Sequence, residues 1–261
     1  MDGDGATVWT DRCCLQQVQY GTEANLAARQ SLYAYQHPPV DLPAAVLDLA
    51  TLRGDETVAD VGCGNGGYLV ELARRAHAGR VLGVDLSAGM LEAARRHAPA
   101  AWLTAGDAAV LPLRDRAADL TLAAHMLYHV PDPRAAVREL RRVTRPGGTV
   151  LVVLNGPDHL RELRDLIAAT LRIGTSEPSL GDQLRLDDGQ ELLAGEFSSI
   201  TRHDFTSELR LPDPGPVEDY VRSMINVRNG RDIAAIAAAV AGRVGAGPFR
   251  VRVDTGCLVC V

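Results

Sequence analysis

Short aliphatic runs and amphipathic stretches alternate through the middle of the chain. Runs at residues 57–61, 80–84, 101–105, 118–124 and 149–154 have the length and composition of buried strands. Between them, residues 67–77, 88–97 and 133–143 repeat their apolar positions with a helical period, as in Leu69, Leu72, Ala73 and Ala76. Right-handed strand–helix–strand crossovers then require a doubly wound, mostly parallel α/β sheet with helices on both faces.

The flanks break this alternation. Residues 16–36 read as a helix stopped by Pro38 and Pro39, and residues 42–50 as a second helix closed by Gly54. Beyond residue 154 the pattern predicts helices at 159–173, 189–194, 217–227 and 233–244, a loop around 174–181 and a strand at 199–205. The last one or two strands are expected within 249–261, and the Ala-rich stretch 234–241 is expected to be helix core. More helices are present than a minimal sheet needs. The expected organisation is therefore an N-terminal helical lid over residues 1–54 and an α/β domain over 55–261, with C-terminal helical insertions forming a substrate-side cap within 156–245.

Composition narrows the chemistry. With 46% apolar and 23% charged residues in 261, the chain has ordinary globular usage and should bury about three quarters of its unfolded surface. A net charge of −6 argues against nucleic acid or an anionic membrane as partner and leaves a small molecule. There is no lysine, so all 27 basic residues are arginine. That removes Schiff-base nucleophiles, P-loop lysines and the kinase strand lysine. The first ten residues lack a basic and hydrophobic leader pattern, and no apolar run reaches the roughly 18 residues of a membrane span, so a cytoplasmic location is expected. Cys13, Cys14, Cys63, Cys257 and Cys260 are expected to be free thiols. Cys257 and Cys260 form a CxxC within a strand pattern, where residues three apart face opposite sides and converge poorly on a metal, so no metal is expected.

The segment Asp60-Val61-Gly62-Cys63-Gly64-Asn65-Gly66-Gly67 follows the first strand of the alternation and opens a helix. Glycines there permit a tight turn and close approach of a ligand to the main chain. Gly62, Gly64 and Gly67 fit a GxGxxG spacing, while Gly62, Gly64 and Gly66 fit GxGxG; either alone is a weak signal. Asp85 ends the next strand, where a carboxylate can accept from ribose hydroxyls. Asp107, after Gly106, can accept from the exocyclic amine of adenine. Both NAD and other adenosine ligands satisfy these positions.

Four motifs in order resemble a class I S-adenosylmethionine-dependent methyltransferase of the ubiquinone/menaquinone and natural-product type. They are Val58 to Gly66, Gly83-Val84-Asp85-Leu86-Ser87-Ala88-Gly89-Met90-Leu91, Gly106-Asp107-Ala108 with Leu111-Pro112, and Leu140-Arg141-Arg142-Val143 leading to Arg145-Pro146-Gly147-Gly148. Ala59 departs from the family, where a larger aliphatic is usual. The resemblance implies a Rossmann-like methyltransferase sheet, S-adenosylmethionine as cofactor with S-adenosylhomocysteine as product, and a small-molecule acceptor in biosynthesis. It places Asp60, Gly62, Gly64, Asn65, Gly66, Asp85, Leu86, Met90, Gly106, Asp107, Ala108, Ala124 and His125 at the cofactor, with Tyr33 over it from the lid. An S-adenosylmethionine-binding protein or cyclase without methyl transfer is the alternative, and an NAD-dependent oxidoreductase the next.

Methyl transfer from a sulfonium needs alignment more than a strong base. Where the acceptor is a hydroxyl a base helps, and His is the expected type. Of His37, His77, His97, His125, His129, His159 and His203, only His125 directly follows the fourth strand at the ligand-binding edge, so it is the candidate catalytic residue. His77 and His97 read as helix-ending residues and His129 as a loop residue. Tyr20, Tyr33 and Tyr35, three of eleven aromatics, sit in the expected lid. Neither the acceptor nor the oligomeric state is encoded in a motif.

Overall fold

The computed structural model describes residues 10–172, 184–224, 229–245 and 247–261. A turn of helix at Arg12–Cys14 runs into a π-helical stretch at Leu15–Gln19, followed by α1 (Ala24–Ser31), β1 (Gln36–His37) and α2 (Leu42–Asp48). The alternating unit comprises β2 (Val58–Val61), α3 (Gly67–Arg74), β3 (Val81–Asp85), α4 (Ala88–His97), β4 (Trp102–Ala105), β5 (Ala118–Ala124), α5 (Pro133–Val143) and β6 (Thr144–Asn155). It continues into α6 (Arg161–Leu171), α7 (Leu186–Leu193), β7 (Ile200–Leu211), α8 (Gly215–Arg222), α9 (Gly230–Val244) and β8 (Phe249–Cys260).

One sheet of eight strands results, in the order β1-β7-β8-β6-β5-β2-β3-β4. The run from β6 to β4 is parallel, and β8, β7 and β1 join antiparallel. This is the doubly wound, mostly parallel α/β sheet that the alternation requires. The order in which successive strands are added reverses between β2 and β5, which opens a crevice at their carboxyl ends. One face is covered by α5 and α7, whose Val137, Leu140, Leu186 and Leu193 pack on Val150, Val152 and Leu258. The other face carries α2 and α3 through Val46, Leu47 and Leu72 on Val58, Leu122, Leu151 and Val153. Cys257 belongs to this second cluster and Cys260 to the first, so the two sulfurs point to opposite faces.

Several expected boundaries are corrected. The helix expected over residues 16–36 is interrupted. The Ser87 hydroxyl donates to the Tyr20 carbonyl at 2.7 Å, and a Cβ at Gly21 would stand 2.7 Å from the Gln17 oxygen, so the chain leaves the helical path there and resumes in α1. Gln36 and His37 then pair with Leu209 and Glu208 instead of ending a helix. The strand expected at 149–154 begins at Thr144, because Ala118 pairs with Thr144 across a register shift. The strand expected at 199–205 runs on to Leu211, because β8 pairs with it along its whole length, and residues 249–261 supply one strand. The helix expected at 189–194 starts at Leu186, where the Asp188 carboxylate accepts from the Arg185 N–H at 2.9 Å. In α9, Ile233, Ile236 and Val240 are buried while Ala234, Ala235 and Ala238 are exposed, so the alanines are not its core. The loop expected around 174–181 lies outside the described residues, as do the last residues of the helix expected at 217–227.

β6 pairs with β8 only from Thr255 to Cys260, so the rest of the β7–β8 hairpin overhangs the parallel sheet. Leu209, Leu211, Val251 and Val253 of this overhang form a second core with Leu163, Val217, Val221 and Ile236 from α6, α8 and α9, joined by Leu32. Of the helices after β6, α6, α8 and α9 thus contribute to the wall of the crevice, while α7 packs on the sheet.

Candidate functional site

The turn after β2 carries the site. Gly62, Gly64 and Gly66 all adopt left-handed φ, at 72°, 53° and 90°. Gly67 does not, so the backbone follows the GxGxG spacing. A Cβ at Gly62 would lie 2.7 Å from Met126, so a side chain there would collide with the loop after β5. Gly66 caps α3 without a side chain. Asn65 projects outward, its Nδ2 donating to Gln30 at 3.1 Å. Gly106 packs as tightly, its missing Cβ 2.6 Å from Pro112 and 2.8 Å from Val84.

Three carboxylates surround the turn. Asp85 accepts the Gly64 N–H on Oδ2 and the Ser87 N–H on Oδ1, both at 2.8 Å. The cap of α4 is Ser87, whose hydroxyl accepts from the Met90 N–H at 3.3 Å, so Asp85 braces the glycine turn instead of capping the helix. Burial raises its pKa against these two hydrogen bonds. Asp107 accepts the Ala109 N–H at 2.9 Å and forms an ion pair with Arg12. Asp60 is 1% exposed, and neither of its oxygens has a hydrogen-bond partner among the described residues. Burial and then the nearby Asp85 push its pKa up to about 7. The Tyr68 hydroxyl beside it is also buried without a partner.

The N-terminal segment is stitched across this turn. Gln16 donates to the Leu86 carbonyl at 2.9 Å, and Arg96 pairs with Glu23 at 3.2 Å. A Cβ at Gly89 would fall 2.1 Å from the Gly21 oxygen, so the close approach of the two segments depends on that glycine. Two tyrosines from this segment meet histidines from the loops beyond β5 and β6. Tyr20 Oη lies 2.9 Å from His129 Nε2, and Tyr33 Oη lies 2.9 Å from His159 Nε2. Tyr35 packs on the second core. His97 ends α4 as expected and stands with Nδ1 3.0 Å from the Asn65 carbonyl, whereas His77 lies beyond the end of α3, 2.8 Å from the Glu56 carbonyl.

These elements enclose a cavity of about 1200 Å3, above the roughly 300–1,000 Å3 usual for one small ligand. Of the residues expected at a cofactor, Asp60 and Gly66 stand behind its wall. The wall itself includes Tyr33, Gly62, Gly64 and Asn65 near the turn, and Asp85, Leu86 and Met90 beside β3 and α4. Gly106, Asp107 and Ala108 follow β4, and Ala124 and His125 leave β5. His125 has φ 54°, and burial holds its pKa down to about 4. Its ring makes no hydrogen bond among the described residues. The cavity continues past it to His159, Leu160, Ile167 and Tyr220. Sequence reasoning missed Tyr68, and it missed Arg12 and the partners of His129 and His159 because each of those contacts joins residues far apart in the chain.

The donor set discriminates between ligands. Asp85 and Asp107 line the cavity with Asp60 behind them, and this set of acceptors disfavours a pyrophosphate and suits a cation joined to a nucleoside. A buried carboxylate without a partner calls for such a cation. The residues present therefore fit S-adenosylmethionine.

A family model described as a methyltransferase domain matches residues 59–152. The malonyl-[acyl-carrier protein] O-methyltransferase of Serratia marcescens is 29% identical over 238 residues, covering 83% of this chain and 86% of that protein. The demethylmenaquinone methyltransferase of Corynebacterium efficiens is 30% identical over 161 residues, covering 57% of this chain and 68% of that protein. The chain spans only 34%, 48% and 59% of the length of three other relatives it matches. The crystal structure of a candidate methyltransferase from Bacillus halodurans superposes with a TM-score of 0.63 at 17% identity, over 84% of this chain and 98% of that one.

Proposed function

The chain belongs to the class I S-adenosylmethionine-dependent methyltransferases, and we propose that it transfers a methyl group to a small organic acceptor, on oxygen, nitrogen or carbon, as a step of biosynthesis. The observation that carries this reading is the continuity of the cavity, which runs from the glycine turn and Asp85 past His125 to the tyrosine-lined space under α6 and α8. S-adenosylmethionine, when bound, supplies an activated methyl group on a sulfonium sulfur.

The chain's own groups bind, orient and shield. Asp60 balances the charge of an ammonium, and Asp85, braced by Gly64 and Ser87, accepts from ribose hydroxyls. Asp107 accepts from an exocyclic amine once Arg12 yields, while Leu86, Met90 and Ala108 form apolar walls. Ala124 and His125 mark the passage to the acceptor. The described part of the N-terminal segment, from Arg12 to Gln36, serves as the lid, and α6, α8 and α9, within 156–245, serve as the cap that selects the acceptor. Alignment of this kind lowers a barrier by roughly 7–11 kcal/mol without a strong base. A small acceptor suits the net charge of −6. No helix among the described residues is long and apolar enough to cross a membrane, and we place the activity in the cytoplasm.

Titration calorimetry tests the cofactor: S-adenosylmethionine and S-adenosylhomocysteine bind and NAD does not. Preferential NAD binding would overturn the reading. Asp85→Ala is expected to weaken binding by about 1.5–3 kcal/mol, since it removes a charge-assisted acceptor. Release of S-adenosylhomocysteine in the presence of acceptor separates methyl transfer from mere binding or cyclisation.

A further inference from the structure

Two tyrosine–histidine pairs face the crevice, and their surroundings differ. At Tyr20 the phenol oxygen meets His129 and also receives the Arg29 Nη1–H at 3.3 Å, with the guanidinium 5.8 Å from the ring centroid. With a histidine and a guanidinium both on its oxygen, Tyr20 serves as a latch. At Tyr33 the oxygen has His159 as its one hydrogen-bond partner among the described residues, and both side chains line the cavity.

The surroundings of His159 set the direction of its hydrogen bond. Nδ1 lies 2.9 Å from the Asp254 carbonyl, with the Asp254 N–H at 3.3 Å and the Thr255 hydroxyl at 3.5 Å. The carbonyl can only accept and is the nearest of the three, so we assign the ring proton to Nδ1, which gives up the longer contact with the Asp254 N–H. Nε2 is then the acceptor and the Tyr33 hydroxyl donates to it, which leaves the oxygen of this cavity-lining residue a lone pair without a partner among the described residues. His125, by contrast, has no hydrogen-bond partner for its ring among the described residues. A base oriented by a third group is the arrangement that activates a hydroxyl.

We infer that Tyr33 and His159 form a proton-withdrawing pair and that the acceptor is a hydroxyl on an apolar, aryl body seated against Tyr33. The inference rests on the methyl-transfer reading above. Leu160, Ile167, Tyr220 and Met224 line this part of the cavity and belong to the second core with Tyr33, which suits an aromatic ring. The acceptor oxygen bonds to the methyl carbon as the carbon–sulfur bond breaks, and that electron pair stays on sulfur as a thioether. The acceptor proton passes to Tyr33 Oη while the Tyr33 proton passes to His159 Nε2, leaving an imidazolium on the Asp254 carbonyl. Water later takes that proton. Burial, His125 and Arg164 all hold His159 neutral in the resting site, yet an oxygen gaining a methyl group becomes a far stronger acid than any imidazolium. Tyr33 is thus the catalytic residue and His159 the positioning residue that receives its proton.

Two phenols of different acidity test the pair. At about pH 8, 4-methoxyphenol is protonated and 4-nitrophenol largely ionised, so only the first needs a base. The wild type, with S-adenosylmethionine, is expected to methylate both. His159→Gln and Tyr33→Phe should lose on the order of 100-fold in kcat on 4-methoxyphenol and little on 4-nitrophenol. A merely structural pair would lower both rates together, and that result, or no loss at all, would overturn the inference. Calorimetry on protein loaded with S-adenosylhomocysteine gives a readout without turnover. Wild type should prefer 4-methoxyphenol to its methyl ether, and Tyr33→Phe should abolish the preference; a wild type without the preference also refutes the pair. Methylation of 4-methoxybenzylamine but of neither phenol would sink this inference while sparing the proposed function. No methyl transfer to any of these probes or to a C–H acid, with no cofactor binding, would sink the proposed function itself.

Discussion

Asp60 shows what a single residue contributes. Its carboxylate is buried beside Asp85 with no hydrogen-bond partner among the described residues, and its pKa rises from 3.8 to about 7. Between these values the native state holds a proton that the unfolded chain has released, so Asp60 costs stability as pH rises through that window. Asp60→Asn should therefore melt at nearly the wild-type temperature at about pH 4 and be more stable at about pH 8, by roughly 1–3 kcal/mol. Thermal melts of both proteins across this range check the sign; a gap that closes with rising pH would refute it. Cofactor affinity should move oppositely. A cation beside Asp60 favours the carboxylate, so wild-type affinity for S-adenosylmethionine should strengthen from about pH 6 to 8, while Asp60→Asn stays weak throughout. Asp60 was legible as a site residue from its place before the glycines. Its missing partner was not, because only the fold shows what surrounds it.

At the scale of elements, the contacts that matter join segments by one or two groups each. Gly89 opens α4 next to Asp85, and its missing side chain leaves room for the Gly21 carbonyl. Gly89→Ala should push the N-terminal segment away from the cofactor turn, weakening S-adenosylmethionine binding and speeding proteolysis near residue 20, with little change in the melting of the sheet. Limited proteolysis and calorimetry read both, and unchanged cleavage would show that this segment docks independently of Gly89. Arg142 of α5 plays the matching role on the far face. It donates to the Leu113 carbonyl at 2.9 Å and the Leu111 carbonyl at 3.2 Å, and pairs with Glu139 at 2.6 Å and Asp115 at 2.7 Å. Glu139 in turn accepts the Leu111 N–H at 2.6 Å. The loop that follows Asp107 is thereby tied to α5. Arg142→Ala leaves two backbone carbonyls and two carboxylates without this donor and should cost about 1–3 kcal/mol, measurable by denaturant unfolding. The motif around Leu140 was visible in the sequence, but the duty of its arginine was not.

For the molecule as a whole, the β7–β8 hairpin decides how the sheet and the helices after β6 behave together. Its ends nearest residues 200 and 260 belong to the sheet core, and its overhang carries Leu209, Leu211, Val251 and Val253 into the second core. The strands are continuous, so the two cores should not melt separately. Leu163, fully buried in α6, tests this. Leu163→Ala should lower global stability by about 2–5 kcal/mol in one cooperative transition. Two resolved transitions by calorimetry would show that the helices after β6 unfold alone.

The sequence by itself determined the parallel sheet, the glycine turn after β2 and the acidic residues at the ends of β3 and β4, because these depend on local periodicity and on residues close together in the chain. The five parallel strands could be read within a few residues, apart from the early start of β6. Tertiary structure decided the rest. The break in the expected helix over 16–36 comes from Ser87 and Gly89, which lie some seventy residues away. The long overhang of β7 and β8 comes from their pairing with each other. Which histidine meets a tyrosine is likewise a matter of chain crossing: His159 lies 126 residues from Tyr33 and 95 from the Asp254 carbonyl that orients it. Local pattern records which faces of a segment are apolar, and it carries no information about which distant backbone group will arrive to use a polar one.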